Sequence, residues 1–198
     1  MTDKLYLVLE NGKVFEGRSF GARRDVTGEI VFTTGMTGYI ETLTDQSYNG
    51  QIVVQTFPLI GNYGLIPSDF ESKSVRAGAY IVKHWCQEPS NFRSEGNLDT
   101  FLKDSNVVGL YGIDTRALTK IIRERGVMNG KITANPDAVD MNEISSYKIT
   151  EPVKSVTSSH TKVFGSNKSS FKVALLNLGL KEGIKRELIK RDCEVHEF

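Results

Sequence analysis

A segment rich in serine, threonine and asparagine, residues 155–170, divides this chain of 198 residues into two unequal parts. Nine of its sixteen residues are Ser, Thr or Asn. Such a composition is typical of a linker, because short polar side chains bond to the nearby backbone and bury little apolar surface. We therefore predict a first domain over residues 1–150, a linker over residues 151–170 and a second unit over residues 171–198.

The second unit has the pattern of a parallel α/β domain at its beginning. Residues 171–178 predict a buried strand, residues 182–191 a helix and residues 194–198 another strand. A strand, a helix and a strand in this order are typical of a parallel sheet with a crossover helix. Because 28 residues cannot complete such a sheet, we expect an incomplete second domain.

The first part alternates short β-rich runs with turns. Asn11-Gly12 suits a tight hairpin turn, which predicts a hairpin over residues 5–16. Asn97 is a candidate cap for a short helix through about residue 103, and Asp114 is a candidate cap for a longer helix that ends at Gly126. Further strands are predicted at residues 29–33, 51–57, 78–85 and 107–111, with a loop and a short helix over residues 34–50. The fold class predicted from this order is α/β or α+β with a mixed sheet.

The composition excludes several classes of function. The chain has 39% hydrophobic and 25% charged residues and a net charge of +1, with no basic run that would indicate nucleic-acid binding. Its apolar stretches are too short to span a bilayer, and its N-terminus lacks the apolar core of a signal peptide. With two cysteines far apart, we expect no disulfide and a reducing, cytoplasmic location.

Few residues have the spacing of a catalytic or metal site. A nucleophilic thiol or hydroxyl needs a sharp turn, typically Gly-x-Cys-x-Gly or Gly-x-Ser-x-Gly, and neither Cys86, Cys193 nor any serine has one. The histidines show no zinc-ligand spacing, so we expect no catalytic residue, no metal and no cofactor in this chain. The glycine pairs at residues 35–38 and 61–64 lack the lysine of a phosphate-binding loop and by themselves indicate turns.

Four collinear strings carry a resemblance to a known family. They are TGMTGYIETLTDQSY at residues 34–48, QIVVQTFPLIGNYG at residues 51–64, PSNFR at residues 89–93 and GIDTRALT at residues 112–119. These strings, their order and their spacing are similar to those of carbamoyl-phosphate synthetase small subunits. The resemblance covers most of residues 5–133.

The resemblance implies both a fold and an activity. The family's small subunit has a layered β/β/α N-terminal domain and a flavodoxin-like glutaminase domain with a Cys-His-Glu centre. It hydrolyses glutamine and sends the ammonia to a large synthetase subunit, which combines it with bicarbonate and ATP for arginine and pyrimidine synthesis. The resemblance implies glutamine and the large subunit as partners. It implies no binding to nucleic acid or to membranes.

One site residue follows from the resemblance, and a second residue has two interpretations. The family's glutamine-contacting serine corresponds to Ser47, whose hydroxyl can donate to a carboxylate and accept from an ammonium. Arg116 has two interpretations: an exposed residue after a helix cap, or a contact to the glutaminase domain or the large subunit. After the linker the family pattern Asp-Phe-Gly-x-Lys-x-Asn-Ile is only partly kept. Gly179, Lys181 and Ile184 match it, whereas Asn177 and Gly183 do not.

Three hypotheses for the chain therefore stay open at this point. The first is part of a glutamine-hydrolysing enzyme subunit whose catalytic Cys, His and Glu lie beyond residue 198. The second is a non-catalytic module that docks onto a large synthetase subunit. The third is a small-molecule binder that uses the loop at residues 35–47.

We expect the purified 198-residue chain to release no ammonia from glutamine, because neither cysteine is placed on a nucleophile turn. A coupled ammonia assay on the chain and on its Cys86→Ala and Cys193→Ala variants tests this. Ammonia release that disappears in either variant would show that the cysteine assignment is wrong.

Overall fold

The computed structural model describes residues 4–198; residues 1–3, which belong to the N-terminal stretch considered above for a signal, lie outside it. The described residues form twelve strands and five α-helices. The strands are β1 (Lys4–Leu9), β2 (Val14–Gly21), β3 (Val26–Thr33), β4 (Gln51–Gln55), β5 (Leu59–Ile60), β6 (Ala79–Val82), β7 (His84–Trp85), β8 (Val108–Tyr111), β9 (Met128–Thr133), β10 (Lys162–Phe164), β11 (Phe171–Leu175) and β12 (Cys193–Glu197). The helices are α1 (Tyr39–Thr44), α2 (Leu98–Asp104), α3 (Thr115–Arg125), α4 (Met141–Ser146) and α5 (Glu182–Lys190).

Seven strands of the first part close into a barrel in the order β1-β2-β8-β6-β4-β3-β9. Three adjacent pairs are parallel: β3 with β4, β4 with β6, and β6 with β8. The other four pairs in the barrel are antiparallel. The predicted mixed sheet is therefore confirmed. The layered β/β/α description did not specify the closure, which occurs because β9 pairs with both β1 and β3.

The central barrel strands β4 and β6 are buried on both faces. In β4, Ile52 and Val54 belong to one apolar cluster and Val53 to another, as expected from the two-residue period of a strand. The first cluster contains residues from the strands around the barrel and is covered by Leu118 and Ile122 of α3. The second cluster lies on the other face of the strands, where α1 and α2 pack.

The hairpin and the two helix caps that were predicted in the first part of the chain are confirmed. The hairpin forms between β1 and β2, with Gly12 at a φ of +80°. Asn97 caps α2 by accepting from the Thr100 N–H, and Asp114 caps α3 by accepting from the Ala117 N–H. Neither β9 nor α4 was predicted from the sequence. Their sequences lack the dense β-branched runs of the other strands and the long apolar stripe of α3.

The second unit is a three-stranded sheet with one helix. Strand β12 lies between β11, to which it is parallel, and β10, to which it is antiparallel. The predicted strand–helix–strand order is confirmed, but the predicted burial of its first strand was wrong, since Phe171 in β11 is 63% exposed. The segment 151–170 contains the short strand β10, and its role as a linker between domains stays a prediction.

Helix α5 is attached to the first part at its N-terminus. Lys181, the residue before the helix, makes no side-chain cap. The backbone N–H of Glu182 donates to the Glu71 carbonyl (2.8 Å), and the N–H of Gly183 donates to Glu71 Oε2 (3.0 Å). Glu71 therefore supplies from another part of the chain the cap that α5 lacks, and its charge suits a helix N-terminus. Within residues 4–198, none of the helices has the length and apolarity needed to cross a membrane.

The barrel depends on close approach at Gly109, where an added Cβ would lie 2.5 Å from the Phe20 carbonyl oxygen. We expect Gly109→Ala to lower the free energy of unfolding by about 1–3 kcal/mol, because the strands would have to move apart. Gly96→Ala is the matched control, since its Cβ would meet Leu65 at an ordinary 3.4 Å. Urea unfolding curves measure both, and equal stabilities of the two variants would contradict the packing argument.

Candidate functional site

Ser47 lies in a short 3-10 helix, Gln46–Tyr48, that directly follows α1. Helix α1 is held in place because Ile40 and Leu43 are completely buried. Asp45, in an extended conformation, turns the chain and accepts a hydrogen bond from the Ser47 N–H (2.9 Å). The Ser47 residue itself is exposed. The motif that carried the resemblance therefore forms a rigid support with the serine on its surface.

Ser47 borders a cavity between the first part of the chain and the second unit. The cavity has a volume of about 210 Å³. Its walls come from the 46–49 turn, the 152–156 turn and the start of the 177–180 turn. The lining residues are Gln46, Ser47, Asn49, Pro152, Val153, Val156, Leu178 and Gly179. The structure thus brings Ser47 close to the segment in which the second family pattern was noted.

The 177–180 turn is shaped for close approach to the first part. Asn177 Oδ1 accepts from the backbone N–H groups of Gly179 (3.0 Å) and Leu180 (2.8 Å). Gly179 has a φ of +106°, and a Cβ there would lie 2.9 Å from Val156 Cγ2. A side chain at this position would force the 152–156 turn away and change the cavity wall.

An ion pair joins the two sides of the cavity. Lys181 Nζ lies 2.8 Å from Asp45 Oδ2. Burial alone would raise the pKa of Asp45, but hydrogen bonds from Lys181 and Ser47 outweigh it, so the pKa of this carboxyl lies below its usual value. The hydrogen bond to Asp45 raises the pKa of Lys181. Both groups are therefore charged at neutral pH, and Asp45 connects Ser47 to the second unit.

The cavity is lined by polar groups but not by either thiol of the chain. Cys86 donates its thiol to the Glu88 carbonyl (3.2 Å), and Cys193 lies buried in β12; neither lines the cavity. In the described part of the chain, no group of three His, Cys, Asp or Glu residues could hold a metal ion. The hydroxyl and amide groups of Gln46, Ser47 and Asn49 can both donate and accept hydrogen bonds.

Arg116 is exposed in the first turn of α3 and is not among the residues that line the cavity. The helix-cap interpretation of Asp114 is confirmed, whereas an interface role for Arg116 stays a prediction. No role for Asp45, Gly179 or Lys181 was predicted from the sequence. The signal was present, since Gly179 and Lys181 match the family pattern, but more than a hundred residues separate them from Asp45.

Together, the fold and the cavity define a mixed α/β barrel that forms one wall of a cavity, with the other wall supplied by residues 152–156 and 178–179. The sequence model of the family "Carbamoyl-phosphate synthase small chain, CPSase domain" matches residues 7–132. This match covers more than half of the chain, and the chain belongs to that family.

Similar proteins agree with this assignment. The chain is 47% identical over 196 residues to a "Carbamoyl phosphate synthase small chain" of Clostridium perfringens, covering 98% of this chain and 56% of that protein. It is 46% identical to the protein of the same name from Lactococcus lactis subsp. cremoris, covering 97% and 54% respectively. The chain thus spans about half the length of the curated relatives it matches. A solved aminopeptidase from Aneurinibacillus sp. strain AM-1 reaches a TM-score of 0.39 at 19% identity, over 66% of this chain and 29% of that chain; this is too low for a conclusion.

We expect Lys181→Met to destabilise the chain by about 0.5–1 kcal/mol at pH 7, because Lys181 is half exposed and its partner Asp45 is not. Since the pKa of folded Asp45 is lowered, the contribution of the pair is present above the usual Asp pKa of about 4 and is lost as the pH falls through the lower folded value. Unfolding free energies measured from pH 7 to pH 3 should therefore converge between variant and parent.

Lys154→Met is the matched control, because Lys154 and Glu151 form an ion pair in which both side chains are largely exposed. Its effect should stay below about 0.5 kcal/mol at every pH. A Lys181→Met effect that does not change with pH would show that the charge of Asp45 is not its source.

Proposed function

We propose that this chain is the front part of the small subunit of a glutamine-dependent carbamoyl-phosphate synthetase, and that Ser47 contacts the glutamine. The observation that carries the proposal is the cavity beside Ser47, which lies between the barrel and the second unit. Family membership supports the reaction class. The half-length match to the relatives supports a role as part of a larger subunit.

The chemistry of the cavity suits a free amino acid with an amide side chain. Such a molecule has an ammonium, a carboxylate and an amide, so it needs groups that both donate and accept. Ser47, Gln46 and Asn49 supply such groups, and Val153 and Val156 supply an apolar surface for the methylene carbons. Asp45 holds the backbone of Ser47, which keeps the hydroxyl in a defined position.

Under this proposal, the catalytic residues and the synthesis of carbamoyl phosphate lie outside the described residues. The catalytic Cys, His and Glu belong to the remainder of a flavodoxin-like glutaminase domain, of which residues 171–198 form the beginning after a linker at 151–170. The ammonia passes to a large synthetase subunit, which uses bicarbonate and ATP in the cytoplasm. Carbamoyl phosphate then serves arginine or pyrimidine synthesis.

The second candidate function is a non-catalytic module that docks onto the large subunit. One observation favours it: neither Cys86 nor Cys193 lines the cavity. The two functions differ in whether Ser47 affects glutamine use, because a docking module has no reason to hold a glutamine at that position.

We expect Ser47→Ala in the complete enzyme to lower glutamine-dependent kcat/KM by about 10- to 150-fold. The substitution removes one hydrogen bond to a charged group, worth about 1.5–3 kcal/mol. Synthesis from free ammonia does not need the glutaminase and should be nearly unchanged. Steady-state carbamoyl-phosphate synthesis with each nitrogen source measures the ratio.

Ser145→Ala is a matched control, because Ser145 is an exposed serine on α4 whose hydroxyl donates to the Asn142 carbonyl in the same helix. Its effect should stay within about 0.5 kcal/mol with either nitrogen source. Equal losses for Ser47→Ala with glutamine and with ammonia would indicate a folding or docking defect and remove Ser47 from the glutamine site.

A further inference from the structure

Glu71 makes several contacts with the beginning of α5. Its backbone carbonyl accepts from the Glu182 N–H (2.8 Å), and its Oε2 atom accepts from the Gly183 N–H (3.0 Å). One turn further along the helix, the Arg186 guanidinium lies 3.9 Å from Glu71 Oε1 and donates to the Phe70 carbonyl (3.2 Å). The Glu71 side chain is only 18% exposed. The first turn of α5 is therefore bound to one short segment of the barrel part.

On its other side, Glu71 is bound to helix α1. The Glu71 N–H donates to Thr44 Oγ1 (2.9 Å), and the Thr44 hydroxyl donates to the Ile40 carbonyl in the same helix (2.8 Å). Thr44 is 1% exposed, so water is not available to replace either bond. Glu71 thus joins the buried end of α1 to the start of α5.

The residue at position 183 leaves room for this contact. Gly183 is one of the positions at which the chain departs from the family pattern, which has asparagine there. A Cβ at Gly183 would lie 3.2 Å from each carboxylate oxygen of Glu71, which is closer than an ordinary contact. Glycine is a poor helix former, so its presence in the first turn of α5 needs a local reason. The close approach of the Glu71 carboxylate supplies that reason.

Two short stretches of chain connect these contacts to the walls of the cavity beside Ser47. Ser47 follows Thr44 by three residues, and Gly179 precedes Glu182 by three. Both Ser47 and Gly179 line the cavity. Because three residues span at most about 11 Å, a shift at Thr44 or Glu182 moves the wall beside it. The contacts of Glu71 therefore set the separation of the two walls.

We propose that Glu71 is a positioning residue for the glutamine site. Together with Thr44, it holds the 177–180 turn against the 46–49 turn, so that the walls of the cavity lie at the separation that glutamine needs. The proposal rests on the proposed function, under which Ser47 contacts the glutamine. Glu71 is not among the residues that line the cavity, so it acts through α5 and not on the glutamine itself.

The test uses the complete enzyme with glutamine as the varied substrate. We expect Glu71→Ala to raise KM for glutamine about three- to tenfold, the size of one lost hydrogen bond, and to change kcat less than about twofold. Glu71→Gln keeps a carbonyl oxygen that can accept from the Gly183 N–H, so its KM should stay within about twofold of the parent value. Carbamoyl-phosphate synthesis from free ammonia should be unchanged in both variants, which shows that they fold.

Glu187→Ala is the matched control, because Glu187 lies on the same helix and pairs with Lys190 and Arg191 beside it. Its KM for glutamine should equal that of the parent. Thr44→Val tests the other end of the link. It should also raise KM, and adding it to Glu71→Ala should raise KM little further, since both substitutions break the same connection.

Several results would overturn the proposal. A parent-like KM in Glu71→Ala would mean that the cavity does not depend on this residue, and equal losses with glutamine and with ammonia would mean that Glu71 serves folding alone. Independent, additive effects of Thr44→Val and Glu71→Ala would contradict the link between the two helices. If Ser47→Ala leaves glutamine use unchanged, the proposed function fails and this inference fails with it. A loss in Ser47→Ala beside a parent-like Glu71→Ala overturns this inference alone.

Discussion

The pairing of β9 with both β1 and β3 is the interaction on which the rest of the structure depends. It closes the sheet, so the barrel has no unpaired edge between β1 and β9 and buries apolar side chains on both faces. Because the strands cannot slide or splay, the segments between them leave the barrel at defined points. The 34–50 connection, which carries α1 and Ser47, is one of these segments.

The cavity beside Ser47 is a consequence of how the second unit is attached. Glu71 caps the start of α5, and Lys181 pairs with Asp45, so two contacts from the barrel domain hold the 177–184 region in place. Both contacts are polar: one joins Glu71 to the backbone of Glu182 and Gly183, and the other joins Asp45 to the ammonium of Lys181. The cavity between them is therefore lined by residues from both parts of the chain.

The sequence predicted local features of the fold better than pairings between distant residues. Capping by Asn97 and Asp114 and the hairpin at Asn11-Gly12 were predicted because side chains a few residues away decide them. Strand β9 was missed, because its sequence MNGKIT contains Asn, Gly and Lys and depends on its two neighbours for stability. The burial of β11 was overestimated for a related reason. An apolar run indicates a tendency to be buried, but the elements that would cover it must be present.

The sequence by itself determined the class of the fold, the main helices and the family, because each depends on residue types at short spacing. Through its resemblance to the family motif, the sequence also predicted a glutamine contact at Ser47, which stays a prediction. Only the tertiary structure decided the barrel closure, the cavity wall at Gly179 and the link from Asp45 to Lys181. These features join residues far apart in the chain. Pairings between distant residues have no local sequence signal, because they form only when the folded barrel brings both partners together.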